Sequence, residues 1–372
     1  MKKLLKKIIK EGIVIDLKDG ELQLFSSGEN VDSVLISEIK SRKEELISYL
    51  TKNRKGLFRN SKYEEIPVTP FSLKYPLSNS QLRLWYASQL EEGHAAFNMP
   101  NTITLTGDYD VGSFQKAIYA LLNRHEILRT VFKLDETGEV SQYILTKEEL
   151  NFNIGYLDFK KEKNPLEAAR KYVLSDSHKP FNLDKGPLLR VALLHISSDN
   201  YQLYFNMHHI ISDEWSMDIL FKDIMTFYNA YKDGVEISIT PLRIQYKDYA
   251  VWQLAELEKP EYKSHREFWI KKLSSEIPKI DFPSNQLRPK LKTSNGNNLV
   301  TYFSPILKEQ IFRFIKIEDG SLFMFMLTAI NILIYRYTAS KDVIVGSPSA
   351  GRFHPDLENQ IENIESYRPR NK

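Results

Sequence analysis

Cysteine is absent from all 372 residues. That excludes disulfides, thiolate nucleophiles and cysteine-ligated metals, and it suits a reducing compartment. Also missing is any apolar run near the ~18 residues that cross a bilayer. The basic N-terminus leads into an apolar stretch broken by lysines, unlike a secretory signal. Neither sign of charge dominates: 51 Lys+Arg against 48 Asp+Glu leaves +3, too little for a nucleic-acid footprint over the whole chain. There is no low-complexity segment and no fixed-period repeat. What is present is a chain that is 42% hydrophobic and 12% aromatic, a globular composition. It is long enough for two or three domains. The expectation is a cytoplasmic protein with no nucleic-acid or membrane partner.

Charge is unevenly spread. Residues 1–60 hold 13 Lys/Arg and 9 Asp/Glu, a net of +4, so the remainder nets −1. Within this stretch, residues 2–10 place Leu4, Leu5, Ile8 and Ile9 on one helical face and lysines on the other. Ile13–Ile15 and Leu22–Phe25 read as strands, and Lys18-Asp19-Gly20 supplies a hairpin turn between them. Apolar spacing from Val34 to Leu50 suits one or two short helices. Residues 53–67 read as a linker.

Beyond Pro76 the pattern is mixed α+β. Helices are expected near 78–91, 110–125, 164–177, 215–232, 244–256, 260–272 and 320–338. Strands are expected near 101–106, 129–134, 140–145, 188–196, 201–207, 298–304 and 342–346. The most informative stretch is Tyr204–Ser216, where an alternating apolar strand runs into His208-His209 and Asp213 follows four residues later. A strand-to-loop junction holds an imidazole rigidly while exposing it. Histidine is the side chain whose protonation adjusts near neutral pH. Taken alone, such a pair is more often structural than functional. Adjacent histidines project differently and no third ligand stands at zinc spacing, so no metal is expected.

His208-His209-x-x-x-Asp213 resembles the signature of nonribosomal peptide synthetase condensation domains. Other segments match that family in order. They are Leu77-Ser78-Asn79-Ser80-Gln81-Leu82-Arg83-Leu84-Trp85, Arg124–Phe132, Pro180–Leu183 with Gly186–Arg190, Tyr246–Gln253 and Gly346–Arg352. Together they span residues ~66 to ~359. The resemblance implies a chloramphenicol-acetyltransferase-like fold of two lobes with the active site in a tunnel between them. It implies a donor aminoacyl or peptidyl thioester and an acceptor amine, each carried on the phosphopantetheine arm of a carrier domain, upstream and downstream; no cofactor is bound by the chain itself. His209 matches the functionally central histidine, acting as base or by placing the amine and stabilising the oxyanion. His208 and Asp213 match structural positions, and Arg352 is the expected partner of Asp213. Trp85, Leu84 and Leu82 are expected in the core. Arg124, His125, Glu126 and Arg129 are expected to brace the N-terminal lobe. Tyr246, Tyr249 and Trp252 are expected in the core or the tunnel wall.

The first 52 residues resemble tubulysin-synthetase-type N-terminal docking domains, small α/β units that capture the tail of an upstream synthetase. A hairpin edge accepts an added strand, and basic residues steer an acidic tail. A solvated helix capping the domain is the bland alternative, and a membrane-surface helix is a remote third. The expected division is 1–55 docking domain, 56–70 linker, 71–240 N-terminal lobe and 241–372 an incomplete C-terminal lobe.

Two departures stand out. Glu214 replaces the motif's Gly; it could favour imidazolium at His209, strain a glycine position or contact the acceptor amine. After Gln360 the family's Ile-Gly-x-x-Val-Asn-Thr is replaced by a polar tail, which implies a truncated copy, poorly soluble or inactive without a second polypeptide. The runner-up is therefore a non-catalytic carrier-binding module with a degenerate lobe. An acyltransferase using free acyl-CoA is a third class.

Overall fold

The computed structural model describes residues 4, 13–18, 21–26, 33–48, 65–89, 95–274, 280, 282–283, 299–352, 354–364 and 366–370. Contacts divide the chain into two units, Met1–Glu65 and Ile66–Lys372. In the first, β1 (Ile13–Lys18) pairs antiparallel with β2 (Glu21–Ser26), Ile13 opposite Ser26 and Lys18 opposite Glu21. Helix α1 (Ser33–Ser41) follows and buries Leu35 and Ile39. Apart from Leu4, the basic helix expected over 2–10 lies outside the described residues, as do the Asp19-Gly20 turn and residues 53–64 of the expected linker.

The second unit is built on a four-stranded sheet in the order β3 (Asn98–Thr106), β8 (Asn200–His208), β7 (Leu189–Ser197), β6 (Ile154–Asp158). Central β8 runs antiparallel to both β3 and β7, and β6 runs parallel to β7. Side chains alternate between faces. Val191, Leu193, Leu203 and Phe205 join Phe114 and Leu121 of α3 (Val111–Arg124) and Ile224 and Phe227 of α6 (Glu214–Asp233) in the main core. Ala192, Leu194 and Tyr204 on the opposite face pack with Ala169 of α5 (Pro165–Ser177). Burial on both faces explains why Leu188–Ile196 reads as a nearly continuous apolar run. Gly155 of β6 fits the close approach of β7: a Cβ there would stand 3.1 Å from that of Ala192.

Around this sheet stand α2 (Asn79–Ser88), whose Ser78–Gln81 capping box is complete, the hairpin β4 (Thr130–Leu134) and β5 (Val140–Ile144), and the single turn α4 (Lys147–Leu150). Trp85 is buried, and Leu82 and Leu84 pack partly buried against the core. Asp223 of α6 accepts from Arg124 Nε at 2.9 Å and lies 2.8 Å from His125 Nε2, while Glu126 pairs with Lys247. Arg129 Nε donates to Leu122 O at 2.8 Å. The second matched motif is thus a brace that ties α3 to α6 and to α7 (Tyr246–Leu257).

Farther along come α8 (Pro260–Lys272), α9 (Pro305–Ile317) and α10 (Leu322–Thr338), then the strand pair β9 (Val345–Ser349) and β10 (Ser366–Arg370). Over its described part, 299–304, the strand expected at 298–304 is not formed: these residues are irregular, with Leu299, Val300 and Tyr302 exposed and no neighbouring strand beside them among the described residues. Helix α9, to which the sequence reading assigns nothing, carries its own start signal in the Ser304 cap followed by Pro305. The short strand β6 also escapes the sequence reading; the loop around it hides its period-2 pattern. Among the described residues no single helix is long and apolar enough to cross a membrane.

Candidate active site

Strand β8 ends at His208, and the chain turns at once through a single 3₁₀ turn, His209–Ile211, into Asp213, the N-cap of α6. The two histidines receive different environments. His208 is buried; its Nδ1 accepts from Ile210 N at 3.1 Å, which leaves the proton on Nε2 facing Ser88 Oγ at 3.4 Å. Burial, with His209 adding to it, pulls His208 down to about 3, so it is a neutral structural group that caps the turn.

His209 is half-buried, held by backbone through His209 N to Phe97 O at 2.8 Å. Its Nδ1 lies 2.7 Å from Ser212 O. A carbonyl oxygen only accepts, so Nδ1 carries the hydrogen and the lone pair resides on Nε2. The turn therefore selects a tautomer suited to accepting a proton or hydrogen bond at Nε2.

Asp213 is fully buried. Its Oδ1 accepts from Ser216 N at 2.9 Å and Ser216 Oγ at 2.6 Å, which closes the capping box of α6. The same oxygen lies 3.0 Å from Arg352 Nη2. The structure thus brings together the two residues that the sequence pairs across 139 positions. Arg352 also donates through Nη1 to Leu357 O and Gln360 O, both at 2.7 Å, and to Glu362 Oε1 at 2.9 Å. One guanidinium clips the 352–362 loop to the N-terminus of α6. Gly351 makes this approach possible: its φ is +68°, and a Cβ there would meet Ile364 O at 2.6 Å.

Glu362 was not singled out by sequence. Its carboxyl is sealed from solvent and competes with Asp213 for a single Arg352, so burial raises it well above the usual carboxylate range. Asn363, also missed, sends its amide Nδ2 to His209 O at 2.6 Å and Ser212 O at 3.4 Å. Both lie in the segment where the chain leaves the family pattern, so no motif pointed to them. Glu214 stands exposed in the first turn of α6, where its charge complements the helix dipole. Its φ is not positive, so the glycine-strain reading does not hold. Among the described residues no group of three or more histidine or acidic side chains is placed to hold a metal.

Comparisons with known proteins identify the family and the fold. The family model described as "Condensation domain" matches residues 72–361. The chain is 36% identical over 287 residues to surfactin synthase subunit 1 of Bacillus subtilis (strain 168), covering 77% of this chain and 8% of the relative. It is 34% identical over 310 residues to bacitracin synthase 1 of Bacillus licheniformis, covering 83% of this chain and 6% of that protein. The chain therefore spans under a tenth of the length of these curated relatives. Among solved structures, the X-domain from teicoplanin biosynthesis matches with a TM-score of 0.71 at 23% identity, over 82% of this chain and 67% of that one. The starter condensation domain of rhizomide synthetase in complex with C8-CoA matches at 0.69 and 21%, over 80% and 65%. These likenesses show the fold.

Proposed function

The chain belongs to the condensation-domain family of nonribosomal peptide synthesis, and from that premise we propose that it joins two carrier-bound acyl groups by an amide bond. The donor is an aminoacyl or peptidyl thioester and the acceptor an aminoacyl amine, each on the phosphopantetheine of a separate carrier domain. The acceptor nitrogen adds to the thioester carbonyl, the C–S bond breaks, and the proton lost by nitrogen ends on the departing thiol. His209 Nε2 accepts from the amine as the C–N bond forms and returns the proton to sulfur. The observation that carries this reading is the hydrogen bond from Nδ1 to Ser212 O, which leaves the lone pair at Nε2.

In the same reading the chain works in the cytoplasm and binds no cofactor of its own. The 1–65 unit, with its β1–β2 hairpin, receives the C-terminal tail of an upstream synthetase by strand addition. The runner-up, a carrier-binding module without catalysis, is favoured by Glu214 standing where the motif has Gly. The full chain incubated with two loaded carriers, across a panel of aminoacyl donors and acceptors, tests both. Dipeptidyl-carrier formation lost in His209→Ala, with carrier binding kept, supports the amide-forming reading. Carrier binding without product from any pair sinks it and leaves the binding module.

A further inference from the structure

Asn363 reaches His209 from the far end of the described chain. It is 3% exposed, and its amide Nδ2 has two hydrogens for two carbonyls, His209 O at 2.6 Å and Ser212 O at 3.4 Å. An oxygen in place of that nitrogen would face both carbonyls, so the amide orientation is fixed by its partners. Nδ2 also stands 3.2 Å from His209 Nδ1. Because Nδ1 already points its hydrogen at Ser212 O 2.7 Å away, the two nitrogens are neighbouring donors that converge on one oxygen.

The platform under Asn363 is fixed on every side. Glu362 N donates to Ser216 Oγ at 2.9 Å, and Ile364 N donates to Asp213 Oδ2 at 3.3 Å. The carbonyl of Asn363 accepts from Tyr246 Oη at 2.9 Å. Tyr246 has one hydrogen, so its 2.6 Å contact with Ser78 Oγ has the serine as donor. A polarised line, Ser78 to Tyr246 to Asn363 to the 209–212 turn, joins the cap of α2 and the start of α7 to the imidazole.

We propose that Asn363 is a positioning residue for His209: it holds the two carbonyls of the 209–212 turn so that Ser212 O stays opposite Nδ1 and the lone pair stays on Nε2. Without the amide, His209 O loses its 2.6 Å donor and is left with the 3.5 Å contact of Ser212 N, while Ser212 O still accepts from His209 Nδ1. A shielded carbonyl that loses its short hydrogen bond favours a turn rotated to find another donor. Rotation of the 209–212 turn that satisfies His209 O elsewhere moves Ser212 O away from Nδ1 and releases the ring to its other tautomer. The proposal rests on the reading of His209 as the group that meets the amine, but its first readout does not depend on that reading.

The test is nitrogen NMR of the full chain labelled at histidine, with His209→Ala assigning the signal. The wild type is expected to show a pyrrole-type Nδ1 and a pyridine-type Nε2 for His209. In Asn363→Ala the two signals move towards each other as the tautomers mix, and kcat for amide formation falls by about tenfold or more with acceptor KM little changed. Asn363→Asp, which puts oxygens against both carbonyls, is expected to lose more. A wild-type His209 protonated at Nε2 overturns the proposal even if every variant fails to fold. Wild-type signals and kcat in Asn363→Ala overturn it as well. Tautomer mixing in Asn363→Ala alongside a wild type that forms no amide removes the proposed activity and leaves the positioning role standing.

Discussion

Leu203 of β8 has no surface left to solvent, whereas Leu333 of α10 keeps 51% of its own. The contrast extends to their surroundings. Residues between Ile66 and Tyr249 supply nearly all of the main core, and Leu357, Ile361 and Ile364 return to it from the far loop. Among described residues α8 buries nothing, α9 only Ile311 and α10 only Ile334, although α10 reads Leu-Phe-Met-Phe-Met-Leu. The site belongs to the first region: His208, His209 and Asp213 grow from the sheet, and among the described residues the far region contributes the 351–364 loop that folds back onto it. An apolar period identifies a helix without saying what covers it, because period is local and covering is not.

The contrast can be broken most sharply at Arg352. Arg352→Ala leaves the buried Asp213 carboxylate without its cation and the Glu362 carboxyl without its donor, and a loss of about 3–5 kcal/mol is expected in urea unfolding. Leu203→Ala belongs on the same scale, about 2–5 kcal/mol. If the sheet region tolerated either change as an exposed site does, the division drawn above would be wrong.

Acid sharpens the same comparison. His208 titrates near 3 when folded against an ordinary 6.5, so the unfolded chain takes up a proton that the native one refuses. Its contribution is complete above pH 6.5 and falls by about 1.4 kcal/mol per unit as pH drops towards 3. His125, lowered by burial, acts in the same direction. Urea midpoints measured between pH 7.5 and 5 should fall, and the slope should flatten in His208→Asn. An unchanged slope in that variant would assign the effect elsewhere.

Glu362 works the other way. Its folded carboxyl is raised, so stability is lost as pH climbs above 4.5 and the unfolded chain ionises. Glu362→Gln is expected to stabilise by at least about 1 kcal/mol at pH 8 and by less at pH 5. A benefit independent of pH would show that the carboxyl is ionised in place. The smallest effect belongs to the uncovered helices: Leu333→Lys should cost under about 0.5 kcal/mol. A cost above about 2 kcal/mol would mean that this face is covered after all.

Much of the sheet region could be read from sequence because its signals are local. Alternation in Leu189–His208 places β7 and β8, Asp110 and Asn164 mark helix starts, and the histidine pair falls where a strand must end. The pairing of Arg352 with Asp213 was expected because Arg352 follows a late strand that could reach the tunnel, an inference from the implied fold that periodicity alone does not supply. Glu362 and Asn363 were not legible. Their importance comes from one guanidinium and one amide crossing about 150 positions to meet α6 and the turn before it, and nothing in Gln-Ile-Glu-Asn-Ile announces such a partner.

The clip that Arg352 forms also has a kinetic side. Its acceptors lie at position 213 and along 357–362, so the ring of His209 acquires its final support only after a closure spanning nearly two-fifths of the chain. Loop closure of that length is slow compared with forming a hairpin or a helix. The brace on the imidazole is therefore less local than the hairpins and helices around it.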